Sequence, residues 1–407
     1  MDILFFSENF PPETNAAANR VYERAVYWAS WGHNVTIITG APNFPHGQLF
    51  DGYQNVWYQT EEISGIKVVR VKTYIAPNQG IIRRSLDFFS FLISGTIAGF
   101  FQPRPDIVAA TSPQFFAAVA GWIVAVFKRR PFVFELGDLW PNSISAVGAI
   151  KKGILLSMLE KFELFLYGQS KTIAALTHAF KNNLVSRGIS REKIHVVMNG
   201  VDLHRYAPQD RNQNLAEKWG IKDKFVVGYI GTHGMAHGLV NVLDTADQMK
   251  SNLDLVFLFV GAGAERNELI AESGRREQKN VVFIPAQPKD RIPDIWSLCD
   301  IALVHLKNSP AFSDVLPSKL FEAMAMGLPI LLVSPEGEAS NLLIERNAGL
   351  WVPAGDPKRF SESIELLRSD PNLLVSLASS SLNAASLHSR EVQAQEMLHV
   401  FNESILR

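Results

Sequence analysis

The chain has 407 residues, of which 47% are hydrophobic and 19% charged. Those proportions exclude a disordered or fibrous protein, and the length suits two α/β domains of ~200 residues each. A single cysteine, Cys299, excludes an internal disulfide, so we expect a cytoplasmic setting.

Met1-Asp2 leads directly into Ile3-Leu4-Phe5-Phe6, which reads as a buried first strand and not as a secretory leader. Further short apolar runs at 35–39, 68–71, 107–110, 132–135, 172–175 and 194–197 read as strands. Helical patterns such as 17–31 and 115–127 fall between them. This alternation predicts a doubly wound parallel sheet. The rhythm breaks in the polar stretch 205–214 and restarts with runs at 225–230, 255–260, 281–284, 301–304 and 329–333. We therefore expect a first Rossmann-like domain over 1–205 and a second over 206–389. An amphipathic helix over 390–407 would return toward the first.

The two halves differ in charge. Residues 1–205 hold 20 Lys and Arg against 15 Asp and Glu, a net +5, and residues 206–407 hold 19 against 25, a net −6. An anionic partner for the first half is one reading, and ordinary variation is the other.

In parallel sheets, ligands sit beyond the carboxyl ends of the strands, so the loops there are the informative positions. The loop 312–318 carries Asp314, then Val315, Leu316, Pro317 and Ser318. It enters a helix that holds Lys319 and Glu322. A helix start offers free amides to a phosphate, and a carboxylate can accept two hydroxyl donors of a sugar or ribose. Taken alone, the segment also fits a solvated helix start with a surface lysine, which Ser318 could cap. Further candidates on strand-end loops are Gly231, Thr232 and His237, Gly261 and Gly263, and Pro285, Ala286 and Gln287. In the first half they are Asn15, Ala16, Ala17, Glu135 and Asp138, with Asp138 also readable as a turn cap.

From Asp314 through "EAMAMGLPI" the chain resembles the E-x7-E signature of glycosyltransferase family 4. The opening "FSENFPPETNAAANRVYERAVYWASWGHNVTIITG", the "DLWP" loop and the "NGVD" turn at 199–202 extend that resemblance over nearly the whole chain. It implies a GT-B fold with two Rossmann-like domains facing a cleft. It also implies transfer of a sugar with retention of configuration. Carried over, Asp314 contacts the donor sugar and Glu322 the nucleotide ribose. Asp138 joins the catalytic set, while Val315 and Leu316 lie by the diphosphate. Asn15-Ala16-Ala17 stands where the family often has two glycines.

Thr232 and His237 replace the family's arginine and lysine, and neither is a permanent cation. Lys319 is then the first candidate to neutralise the leaving group, with His237 adding charge only in acid. Arg266 reads as a surface residue. The "PSK" and "DLWP" branch is similar to transferases of bacterial surface polysaccharides (O-antigen, capsule), including the L-N-acetylfucosamine transferase type. That likeness implies a UDP-sugar donor and a polyprenyl-diphosphate-linked saccharide acceptor, with no nucleic-acid partner.

His46 and His178 could be acid–base groups but read more simply as loop residues, and Cys299 as a packed hydrophobe. Residues 81–101 are too polar at their start to span a bilayer. With Arg83, Arg84 and Lys128, Arg129 and Arg130, they fit either a helix lying on an anionic membrane or an ordinary buried helix. We expect a peripheral enzyme on the inner face of the cytoplasmic membrane, with no cofactor and no obligatory metal. A sugar-nucleotide 2-epimerase and a non-catalytic nucleotide-sugar-binding protein remain the alternatives.

Overall fold

The computed structural model describes residues 1–44, 46–75, 81–139 and 153–406, the side chains of 81, 82, 84 and 155 excepted. Trp140 and Pro141 of the "DLWP" loop, and the Arg84 side chain, lie outside the described residues. The chain divides into two compact units, Met1–Asn199 with Arg390–Arg407, and Gly200–Ser389. The division falls at Asn199 and not at 205.

Unit 1 contains β1 (Asp2–Phe6), α1 (Ala16–Ser30), β2 (Asn34–Gly40), β3 (Tyr58–Ile63), β4 (Ile66–Val71), α2 (Ile81–Phe100) and β5 (Ile107–Thr111). It continues through α3 (Phe115–Lys128), β6 (Phe132–Leu136), α4 (Ile154–Gln169), β7 (Thr172–Ala175), α5 (His178–Ser186) and β8 (Ile194–Val196). The sheet order is β3-β4-β2-β1-β5-β6-β7-β8. Every pairing is parallel except β3 with β4. β5 and β6 are buried along their whole length, as expected of strands covered on both faces. The β3–β4 hairpin was not foreseen. Its two-residue turn, Ser64-Gly65, holds both residues at positive φ (51° and 77°), the conformation that suits the twist of a tight hairpin.

Unit 2 contains α6 (Gln213–Lys218), β9 (Phe225–Ile230), α7 (Val240–Gln248), β10 (Leu255–Val260), α8 (Arg266–Arg275), β11 (Val281–Ile284) and α9 (Ile292–Trp296). Then follow β12 (Ile301–His305), α10 (Ser318–Ala325), β13 (Ile330–Ser334), α11 (Glu338–Glu345), β14 (Gly349–Pro353), α12 (Pro357–Ser369) and α13 (Pro371–Ser386). All pairings run parallel in the order β11-β10-β9-β12-β13-β14. β14 was also not foreseen.

The last helix, α14 (Arg390–Leu406), belongs to unit 1. Its buried residues Gln393, Ala394, Met397, Val400, Phe401 and Ser404 recur at helical spacing and form one face. That face meets α1. The Trp28 indole donates to the Ala394 carbonyl at 3.0 Å and lies edge-on to Phe401, while Arg390 pairs with Glu23 at 2.6 Å.

Candidate active site

The clearest feature of unit 2 lies at the carboxyl ends of β9 and β10. The loops that follow these strands are zipped together by backbone bonds. Gly231 N–H donates to Val260, His233 to Ala262, and Glu265 back to His233, at 2.9–3.0 Å. This packing leaves no room for side chains. A Cβ on Gly261 would stand 1.9 Å from the Gly231 oxygen, and one on Gly263 would stand 2.2 Å from the His233 oxygen. Gly261 and Gly263, candidates on strand-end loops, therefore first admit a neighbouring loop. Gly231 differs, because a Cβ there would meet the Lys319 Nζ at 2.9 Å.

Lys319 comes from the first turn of α10, and this is not the surface lysine that the segment alone could suggest. Its side chain is buried, and its Nζ lies 3.8 Å from the centre of the Tyr229 ring. The Nζ has no hydrogen-bond partner among the described residues. Burial drives its pKa from 10.5 down to about 7, opposed by the negative charge of Glu322. An unpartnered buried ammonium at strand ends is costly unless something anionic completes it. Ser318 does not cap the helix. Pro317 occupies the capping position without a side-chain bond, which leaves the first amides of α10 unclaimed by a cap.

Three histidines surround this lysine. His233 is fully buried, and neither ring nitrogen has a partner among the described residues. A Cβ on Gly261 would lie 3.3 Å from its Nε2, which places the ring over the end of β10. The His305 Nδ1 donates to the His237 carbonyl at 2.6 Å, and the His237 ring faces the His305 carbonyl at 3.4 Å. Burial, with the Lys319 charge second, pushes His237 down to about 3. This corrects the expectation that His237 supplies charge in mild acid: in the ligand-free protein its ring stays neutral there. Burial, then Arg266 and Lys319, hold His233 near 4.

Arg266 also differs from its sequence reading. It opens α8 half-buried, its Nε buried without a partner among the described residues, and its charge reaches His233. Arg266 and His233 are the residues that sequence reasoning missed. Their only prior signal is their place just past two buried strands.

Of the two acids, Glu322 is half-buried and within 3.5 Å of the Trp296 indole nitrogen. Asp314 is half-buried beside Ser313, whose hydroxyl reaches its Oδ1 at 3.3 Å. The Asp314 loop is pinned by a bond from Glu338 N–H to the Ser313 carbonyl at 2.8 Å, with Gly337 lying against Ser313. Val315 is half-buried and Leu316 buried. Thr232 accepts from the Tyr229 hydroxyl through its carbonyl. After β11, Pro285 and Ala286 are exposed, and Gln287 bonds back to the Pro285 carbonyl at 3.1 Å.

In unit 1, Asn15 caps α1 by accepting from the Ala18 N–H at 2.9 Å, and Ala16 and Ala17 form its first turn. Glu135 is a correction. It lies within β6 and is fully buried, with one oxygen on Arg20 and the other on Arg24, each at 2.8 Å. Burial alone would raise its pKa, yet the two guanidiniums hold it down at about 2. It therefore braces β6 against α1 and is closed to a ligand. Asp138 lies just beyond, half-buried, after Gly137, whose N–H donates to Ser112 at 2.8 Å. His46 and His178 are exposed, and Cys299 is buried with its thiol against the Ile295 carbonyl at 3.6 Å.

Two parallel-sheet units with polar groups gathered at strand ends define a Rossmann-type nucleotide-binding class. The model of "Glycosyltransferase Family 4" matches residues 17–205 and that of "Glycosyl transferases group 1" residues 211–382. The chain belongs to the family 4 glycosyltransferases, and its fold is GT-B. It is 26% identical over 336 residues to an Escherichia coli (strain K12) protein named as a colanic acid biosynthesis glycosyl transferase, covering 80% of this chain and 82% of that one. A GDP-mannose-dependent alpha-mannosyltransferase of Mycobacterium tuberculosis is 24% identical, over 87% of this chain and 84% of the relative. Among solved structures, Anabaena HepE in complex with UDP matches with a TM-score of 0.72 at 18% identity, over 99% of this chain and 100% of that chain.

Proposed function

We propose that this enzyme transfers a sugar, with retention, from a UDP-sugar to a polyprenyl-diphosphate-linked saccharide during the assembly of a bacterial surface polysaccharide such as O-antigen or capsule. The observation that carries the reading is Lys319, a buried cation without a partner among the described residues, placed where β9, β10 and α10 converge. A diphosphate completes such a site, and Arg266 adds a second positive group near it. UDP is favoured by the complexes of HepE with UDP and with UDP-glucose. The relatives named for colanic acid and teichuronic acid biosynthesis support a surface-polysaccharide setting, and the lipid-linked acceptor is our inference from that setting.

In this reaction the bond from the sugar C1 to the diphosphate oxygen breaks. A bond from C1 to the acceptor oxygen forms on the same face, and the acceptor proton passes to the departing diphosphate. Lys319 stabilises the charge that develops on that leaving group. Glu322 holds the ribose hydroxyls, and Asp314 faces the sugar. No metal is required, so chelation by EDTA leaves turnover intact.

Membrane attachment is part of the proposal. No helix among the described residues is long and apolar enough to cross a bilayer. α2 buries Phe91 and Ala98, yet it exposes Leu86, Phe89, Ile93 and Ile97 along one face, with the basic Arg83 at its start. That pattern suits a helix lying in the headgroup region of the inner leaflet. Arg83→Glu then releases protein from anionic vesicles.

The deciding experiment incubates UDP-sugars, with GDP-mannose as competitor, and a lipid-linked saccharide, followed by product analysis. The proposal expects a glycolipid whose new linkage keeps the donor's anomeric configuration. Interconverted free nucleotide sugars, an inverted linkage, or preference for GDP-mannose each overturn the corresponding part.

A further inference from the structure

The amino ends of the unit 1 strands, opposite the loops that carry the chemistry, hold a second concavity of about 550 Å3. Its walls come from Trp122 and Val126 of α3, from Arg130 just before β6, from Lys171 just before β7 and from Lys193 just before β8. Three basic residues line it and no acidic one does. The Arg130 Nε is buried with no partner among the described residues. Lys193 donates to the Gly168 carbonyl at 2.7 Å, and Lys171 presents a like charge beside it. Positive groups gathered without a counter-charge favour an anion.

The surroundings say what kind of anion. Trp122 meets the exposed Phe165 edge-on at 5.5 Å. Val126, on the wall itself, is 60% exposed, and Phe165, against Trp122, is 46% exposed. Large apolar side chains this open are unusual beside a basic pocket unless the occupant brings its own apolar body. A free phosphate or a nucleotide would use the cations and leave Val126 and Phe165 in water.

We infer that this pocket binds the phosphate headgroup of an anionic glycerophospholipid, whose acyl chains run over Val126 and Phe165. Arg130, Lys171 and Lys193 hold the phosphate, and Trp122 forms the wall at the glycerol. The inference rests on the proposal that unit 1 meets a membrane, and its test keeps the two apart.

The full-length protein is titrated with phosphatidylglycerol–phosphatidylcholine vesicles and, separately, with short-chain phosphatidylglycerol below its micellar concentration. The difference in emission between wild type and Trp122→Phe reports the pocket. Neutralising two basic contacts in Lys171→Gln/Lys193→Gln should weaken vesicle binding about thirtyfold, at about 1 kcal/mol each. Lys171→Gln alone, at a side chain with no hydrogen bond among the described residues, should weaken it about fivefold. The short-chain lipid should shift Trp122 emission, and inorganic phosphate at equal concentration should not.

If the double variant binds vesicles as wild type does while Arg83→Glu is released, the pocket assignment falls and the membrane reading stands. If wild type ignores vesicles yet the short-chain lipid still shifts Trp122, the membrane reading falls and the pocket stands. An equal response to inorganic phosphate shows a free-anion site and overturns the lipid assignment.

Discussion

Replacing Lys319 with Met should make the ligand-free enzyme more stable and the donor site nearly inert. Lysine and methionine have similar length, so the thioether can lie where the Lys319 stem lies now, over Tyr229. What changes is the charge. A lysine whose pKa falls from 10.5 to about 7 on folding disfavours the folded state by roughly 5 kcal/mol when it is protonated. The ring contact with Tyr229 returns up to about 2 kcal/mol of that. A net gain of roughly 3 kcal/mol is therefore expected for Lys319→Met at or below neutral pH. The sign follows from proton counting. Below about 7 both folded and unfolded lysines are charged and the full penalty applies; above 10.5 both are neutral and none remains. In between, the unfolded chain binds more protons, so wild-type stability rises with pH and the advantage of the variant fades.

Donor binding should behave in the opposite way. A diphosphate restores the lysine proton, so UDP binding at pH 7 should draw up about half a proton per site, and nearly one at pH 8.5. Losing a charge-assisted contact should weaken UDP by about 2–3 kcal/mol in Lys319→Met. Calorimetry in two buffers of different ionisation enthalpy measures both quantities, and urea unfolding measures the stability. Wild-type UDP affinity in the variant, or proton uptake absent at every pH, would refute the assignment of Lys319 to the diphosphate.

The other changes follow from the same geometry. Glu322→Ala should cost UDP about 2–3 kcal/mol by removing the ribose acceptor, and unchanged affinity in a folded variant would take Glu322 out of the site. Asp314→Asn should lower kcat with little effect on UDP affinity, so wild-type turnover would remove it from the reacting centre. His237→Gln should leave the acid limb of the pH–rate profile unmoved, because burial and Lys319 already hold that ring neutral down to about 3. Glu135→Gln should destabilise unit 1 by about 3–5 kcal/mol by stranding the Arg20 and Arg24 guanidiniums, without changing UDP affinity. The wild-type contribution of Glu135 should be complete above its unfolded pKa of 4.5 and be lost as pH falls toward about 2.

What could be read in the sequence depended on how far each feature is set by its own neighbours. β9 and β10 are covered on both faces, so six consecutive apolar residues marked each one with its observed bounds. β3 alternates half-exposed and exposed residues at a sheet edge, and "YQTEEI" carries no apolar run to betray it. The Ser64-Gly65 pair between two isoleucines was its one local sign. The acid–lysine–acid loop was legible as a motif, but the state of its members was not. Lys319 reads as the first candidate for the leaving-group cation, but its segment alone also fits a solvated lysine, because its burial comes from β9 and from the Tyr229 ring, nearly a hundred positions earlier in the chain. His237 and Glu135 were misjudged for the same reason. One is surrounded by a lysine and two further histidines, and the other by two arginines of α1.

The contrast between Glu135 and Lys319 carries the argument for function further than the motif does. Both are buried charges in the core of a Rossmann-like unit. Around Glu135 the fold supplies two guanidiniums with good geometry, one for each oxygen, as a structural charge requires. Around Lys319 it supplies an aromatic face, a glycine that clears space for the ammonium, and histidines too buried to take a proton. Glu322, whose charge favours the ammonium, offsets only part of the burial cost. The fold satisfies one buried charge with two partners and gives the other no hydrogen-bond partner among the described residues, which is why we assign Lys319 to the donor diphosphate. Local rules tend to fail at functional positions, and this failure is the observation on which the proposed diphosphate site rests.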